Sequence, residues 1–262
     1  MKNRKIKLLT EKDNLDEILD LEERMNNFYN TTKSYTAFEE ESSHVEQWNL
    51  ILKYIEQHNT TLKKVKILEV GAGKSGLGKF LSSKGIKEQT ELTFHDVTDQ
   101  NIDWLKQYSD NIIIGDIEVI SEKFDIIVHS YVLEHVSRPC HFLTYIFNEL
   151  TVTGGINIIE CPKYDFLLYF PNSLNHCSLI EKIRLKLIML FTSKLNCIIN
   201  DPAVFYLPFY RDVDAIHLVR EKNICQLFHN AKISTWHVPC GGIRHWILTT
   251  FLTCRLLIKK LD

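Results

Sequence analysis

The sequence predicts an α/β chain built on a doubly wound sheet, its strands mostly parallel and covered by helices on both faces. Three observations carry this expectation. Strand-like apolar runs recur at 65–70 (VKILEV), 91–96 (ELTFHD), 111–115 (NIIIG), 124–130 (FDIIVHS) and 156–161 (INIIEC). Helix-like segments separate them, and strands alternating with helices favour a parallel sheet with both faces covered. The first run is continuously apolar and ends in glycine, as a buried parallel strand does.

The elements follow in order. Residues 11–59 read as helical, with Leu15, Ile18, Leu19 and Leu21 early and Trp48, Leu50, Ile51, Tyr54 and Ile55 late. Thr31-Thr32 and Ser42-Ser43 are the expected breaks. Helices are expected at 77–84, near 100–108 and at 139–150. Beyond Pro162 the pattern changes. Residues 163–216 are rich in aromatics and hold a basic amphipathic helix around 178–195. Residues 217–230 return to helix and 231–238 (AKISTWHV) to strand. The tail at 244–260 fits a strand or an apolar helix, and periodicity does not separate the two. The expected organisation is a helical cap at 1–60, a ligand-binding core at 61–162, an inserted lid at 163–216, and completion of the core at 217–262.

Composition bounds the reading. The chain has 262 residues, 45% of them hydrophobic, enough for one large domain. Its net charge of -2 does not suit a polycation seeking nucleic acid. The charge is uneven, however: residues 1–162 carry 18 basic and 26 acidic side chains, and residues 163–262 carry 13 and 7. A rear portion at net +6 suits an anionic substrate or a membrane surface. The seven cysteines form no C-x-x-C pair and no zinc-site spacing, so reduced, packed thiols are expected and no metal site. The basic N-terminus has too short an apolar run for a signal peptide, and no stretch reaches the length of a membrane span; a cytoplasmic location is expected.

The loop ILEVGAGKSGLG at 67–78 admits three ligands. A P-loop would need its first glycine at Leu68, which lies within the strand, and that reading fails. A dinucleotide loop, G-x-G-x-x-G, fits Gly71, Gly73 and Gly76, with Asp96 about 20 residues further on. Glu69 argues against it. A carboxylate on a buried strand is costly unless paired, and a pyrophosphate would repel it. A ligand bearing ammonium and sulfonium cations would suit it.

The downstream segments point the same way. GDIE at 115–118 follows the third strand, FDIIVHSYVLEHV at 124–136 runs from the fourth strand into a helical turn, and ELTVTGGINIIECP at 149–162 joins a helix end, a Gly-Gly turn and a strand. Together with ILEVGAG, these resemble the class I S-adenosylmethionine (SAM)-dependent methyltransferases, in particular the branch with an LEHV segment. The resemblance covers about residues 60–162, with a weaker echo at 217–238. It implies a Rossmann-like, seven-stranded sheet of order 3-2-1-4-5-7-6, SAM as cofactor and S-adenosylhomocysteine as product. It also implies a binding set of Glu69, Gly71, Ala72, Gly73, Asp96, Val97, Asp116, Ile117, Ser130 and Tyr131. Gly71 and Gly73 would pass under the methionine part, Asp96 would take the ribose hydroxyls, Asp116 and Ile117 the adenine, and Ser130 and Tyr131 the methionine side. Ser75 stands where the family often has a third glycine.

Methyl transfer needs alignment and, for some acceptors, a base, but no metal. The expected acceptor is a small molecule, a sugar or a lipid-linked intermediate methylated on oxygen. His176 and His217 are the candidate bases; His135, within LEHV, is expected to shape the wall. Arg211, Asp212 and Asp214 gather near the presumed pocket. The helix at 178–195 and the tail also suggest peripheral membrane contact. A non-catalytic scaffold and a dinucleotide oxidoreductase remain as alternatives.

Overall fold

A computed structural model describes residues 6–32, 41–58, 63–191, 197–207, 212–237 and 251–261. In chain order the elements begin with β1 (Leu8–Leu9), α1 (Leu15–Thr31), α2 (Val45–His58), β2 (Val65–Val70), α3 (Leu77–Ser83), β3 (Thr90–Asp96), α4 (Ile102–Leu105), β4 (Asn111–Ile114) and β5 (Phe124–Ser130). Then come α5 (Pro139–Tyr145), β6 (Thr151–Pro162), α6 (Leu179–Phe191), β7 (Cys197–Ile199), β8 (His217–Leu218), α7 (Glu221–Leu227), β9 (Lys232–Thr235) and β10 (Thr253–Lys259).

The main sheet has seven strands in the order β4-β3-β2-β5-β6-β10-β9. Numbered within the sheet, this is 3-2-1-4-5-7-6, as expected. The first five are mutually parallel; β10 runs antiparallel to both of its neighbours. The pleat divides the central residues between two cores, because successive side chains point to opposite faces. Leu68, Val70, Ile127 and Ile159 join one core with Phe142 and Leu143 of α5 and Ile224 of α7. Ile67, Ile126, Val128 and Ile158 join the other with Trp48, Ile51 and Ile55 of α2 and Leu77, Phe80 and Leu81 of α3. The apolar runs in the sequence are continuous because both faces are covered.

The tail resolves as a strand over Thr253–Lys259, with Cys254, Leu256 and Ile258 buried in alternation; residues 244–250 lie outside the described residues. Residues 217–218, expected to open a helix, instead form β8 in a second sheet of order β1-β7-β8. Leu9 and Ile198 of that small sheet, with the adjoining Ile216, pack against Ile18, Leu21 and Met25 of α1. The N-terminal segment and the rear insertion thus share one core, which places α1 over the carboxyl ends of the parallel strands.

Candidate functional site

After Val70 the chain turns through Gly71 and Gly73, both left-handed, with φ of 64° and 52°. A side chain at position 71 would collide: a Cβ there would stand 2.5 Å from Cγ2 of Val132. The loop is held from the neighbouring strand. The Ala72 N–H donates to the His95 carbonyl at 2.9 Å, and the Gly73 N–H donates to Asp96 Oδ2 at 2.7 Å. Ser75 gives the departure from three glycines a physical reason. Its Oγ donates to Glu69 Oε2 at 2.6 Å and accepts from the N–H of Leu77, the first residue of α3, at 3.0 Å. Lys74, between Gly73 and Ser75, places its Nζ 5.0 Å from the centre of the Trp104 ring.

Glu69 is 4% exposed. Burial pushes its carboxyl up to about 8, against the pull of the Ser75 hydrogen bond and with a further push from Asp96. Ser75→Ala should therefore destabilise the protein by about 1–3 kcal/mol, since it leaves the Leu77 N–H and a buried acid each without a partner. Denaturant midpoints measured near pH 7 check this.

A cavity of about 230 Å³ opens at the carboxyl ends of the parallel strands. Gly71, Gly73, Asp96, Val97, Asp116, Ile117 and Tyr131 all line it. Seven of the ten residues expected from the sequence are thus brought to one cleft. Asp96 also accepts the Thr98 N–H through Oδ1 at 3.1 Å. Burial raises its carboxyl above the ordinary range, and the Gly73 and Thr98 amides pull it back. Asp116 accepts the Glu118 N–H at 2.9 Å and so fixes the turn that presents Ile117. Tyr131 sits at φ 55°, an unusual conformation for a tyrosine, and its ring stacks on His44 at 5.7 Å.

The remaining three lie elsewhere. Glu69 and Ala72 are buried beneath the loop and do not line the cavity; the Glu69 carboxylate is turned to Ser75. Ser130 points its hydroxyl to Gln47 Oε1. The two candidate bases also stand away from the cleft. His217 is fully buried, its Nδ1 bonded to the Leu133 carbonyl at 2.9 Å, and burial pushes it down to about 4. His176 packs against the Tyr206 ring at 5.5 Å, and it is absent from the cavity wall. Arg211 lies outside the described residues.

The opposite wall is one face of α1: Glu22, Met25, Asn26 and Tyr29, spaced as one side of a helix. Glu22 clamps α1 to the loop after β5, accepting from Ser137 Oγ at 2.8 Å and from Arg138 Nε at 2.9 Å. None of the described residues of 163–216 lines this cavity; instead Asp214 supports its wall from behind. His135 lines the cleft with Nδ1 3.1 Å from Asp214 Oδ2, an ion-pair contact rather than an aligned hydrogen bond, and Tyr29 donates to the same oxygen at 2.8 Å. Burial opposes a charge on His135, but Asp214, Glu134 and Asp212 outweigh it and push the imidazole up to about 10. Sequence reasoning placed Asp214 near the pocket but not against His135, and it named no residue of the α1 face; only the i, i+3, i+4, i+7 spacing of the α1 residues signalled a shared face.

At the level of sequence, no family model and no curated protein matches the chain. Solved structures share its fold. The CurJ carbon methyltransferase superposes with a TM-score of 0.52 at 15% identity, over 94% of this chain and 59% of that one. This chain therefore spans about three-fifths of that structure's length. The plantazolicin methyltransferase BpumL, in complex with a triazolic desmethylPZN analogue and SAH, superposes with a TM-score of 0.51 at 14% identity, over 94% of this chain and 99% of that one. At such identities the likeness establishes a shared fold alone.

Proposed function

We propose that the chain is a SAM-dependent methyltransferase that methylates an oxygen of a small-molecule, sugar or lipid-linked acceptor. The observation that carries this reading is the cleft itself: bare backbone at Gly71 and Gly73, carboxylates at Asp96 and Asp116, and an ionisable His135 meet in one cavity. SAM would lie with its methionine part over the glycine loop, its ribose against Asp96, and its adenine between Val97, Asp116 and Ile117. When bound it supplies an activated methyl group. Glu69, buried beneath the loop and bonded to Ser75, braces the loop rather than contacting the ligand. SAH-bound BpumL, which has the same fold, supports this choice of cofactor.

His135 is the proposed proton acceptor from the acceptor hydroxyl. Asp214 and Tyr29 hold the ring from behind, as a base must be held. As a base His135 must be in its neutral form, so turnover should rise with pH toward about 10, the value to which its acidic neighbours push the imidazole. α1 excludes water from the opposite side through Met25 and Tyr29.

Titration calorimetry with SAM and SAH, followed by incubation of labelled SAM with metabolite and lipid extracts, tests the reading. Binding of both and label in an acceptor are expected. No binding of either would favour a scaffold, and binding of a nicotinamide dinucleotide instead would favour an oxidoreductase.

A further inference from the structure

We propose that a second cavity, beside the cleft, seats the acceptor by a neutral, polyhydroxylated group such as a sugar ring. The inference rests on the transferase reading above and narrows its acceptor.

This cavity holds about 480 Å³, and Tyr131 is a wall of both it and the cleft. One side is the end of β6. Ser130 of β5 pairs in register with Glu160 of β6, and the Tyr131 N–H donates to the Glu160 carbonyl at 2.7 Å. Neighbouring strands lie about 5 Å apart, so Glu160 stands one strand spacing from the residues expected to meet the methionine part of SAM. The other side is the first turn of α2, Val45, Glu46 and Gln47, with His44 before it.

Glu160 is 6% exposed, yet only one of its oxygens is taken. Arg255 Nε donates to Oε1 at 2.9 Å, and Arg255 Nη2 stands 2.9 Å from the same atom. Among the described residues, none donates a hydrogen bond to Oε2. His44 Nδ1 is 3.9 Å from it, beyond hydrogen-bonding distance. Burial pushes His44 down to about 4, so the ring is neutral near pH 7 and makes no ion pair there. A buried acceptor without a donor is costly, and a ligand hydroxyl removes that cost.

Donors face the same space. The amides of Val45, Glu46 and Gln47 have no acceptor among the described residues, as in any first helical turn. Tyr131 adds a phenol. Burial, with Glu160 and Glu134 nearby, pushes it up, so it keeps its proton and can donate.

This mixture selects the ligand. A hydroxyl both donates and accepts, so one ring can give to Glu160 Oε2 and take from the amides and the phenol. A single charge suits only half of the site. An anion would face Glu160 and Glu46, with no lysine or arginine among the described lining residues. A cation would face the positive end of α2 and a carboxylate that Arg255 already neutralises. The stacked rings of His44 and Tyr131 give the apolar flank that a sugar's C–H face needs.

Saturation-transfer NMR and calorimetry on the full chain, with and without SAH, test the proposal. The probes are neutral methyl glycosides of glucose, galactose, mannose and xylose, with glucosamine as the cation and glucuronate as the anion. At least one neutral glycoside is expected to bind about tenfold more tightly than either charged sugar. Glu160→Gln replaces the bare oxygen with an amide donor and should weaken that binding at least about tenfold. Val45→Trp, at an exposed position, should fill the cavity and abolish it while leaving the Glu160–Arg255 pair intact. Both variants should keep SAH affinity within a few-fold, which shows that they are folded. Failure of every neutral glycoside to bind overturns the proposal, as does tighter binding of a charged sugar or unchanged binding in Val45→Trp. Wild type that binds a glycoside but not SAH leaves the sugar site standing and counts against the proposed cofactor alone.

Discussion

Gly71→Val should abolish detectable SAM and SAH binding, with affinity reduced by about 100-fold or more. Two independent penalties act at this position. A β-branched residue at φ 64° is strained by about 1–2 kcal/mol or more. The added Cβ must also displace Val132, whose Cγ2 would be 2.5 Å away. Val132 is itself part of the cavity wall, so any relief of the clash deforms the surface that the methionine part of SAM would meet. Gly85→Ala supplies the control. Gly85 has φ 68°, but nothing stands within 4 Å of its added Cβ, and it lies beyond α3. It should cost about 1 kcal/mol of stability and leave SAH affinity unchanged. Titration of both variants separates strain from contact. Wild-type affinity in Gly71→Val would remove the glycine loop from the binding site.

The contrast between these glycines shows which features are legible in the amino-acid sequence. Positions at the ends of parallel strands can be placed from pattern alone, because strand, tight turn and helix fix where backbone and side chains emerge. Gly71, Asp96, Val97, Asp116 and Ile117 are of this kind. Glu69 is legible as a buried acid, but the Ser75 hydroxyl that turns it away from the cleft is not. Which groups tertiary packing brings into contact is hidden, even where a residue such as Asp214 is expected near the pocket. Asp214 arrives beside His135 because the Ile216 N–H donates to the Glu134 carbonyl at 2.8 Å and His217 bonds to that of Leu133. His217 therefore serves as a strut between the insertion and the LEHV turn rather than as a group in the cleft. The tail is ambiguous for a local reason: Leu257 adds an apolar residue on the half-exposed side of β10, which masks the alternation of Cys254, Leu256 and Ile258.

Asp214→Asn should lower turnover by about 10²–10³-fold while SAH affinity stays within a few-fold, because Asp214 touches the proposed base and not the cavity. The variant also carries a pH signature that a merely structural residue would not. In the folded protein His135 is pushed up to about 10, from an ordinary value near 6.5. A raised value means that the folded state holds a proton the unfolded state releases. The stabilisation is fully present below about 6.5 and is lost as pH rises through about 10. Removing the carboxylate at 3.1 Å lowers the folded value, so the loss of stability between pH 7 and 10 should flatten in the variant. At pH 7 the variant should be less stable by about 3 kcal/mol, limited because the imidazole can release its proton instead of remaining an unpaired buried charge. Denaturant melts across this range, with NMR titration of His135, measure both effects. His135→Gln should match the loss of turnover and remove the His135 titration altogether. If Asp214→Asn kept wild-type turnover and an unshifted His135, the dyad would have no part in the reaction, and the acceptor would have to lose its proton to water or to another group.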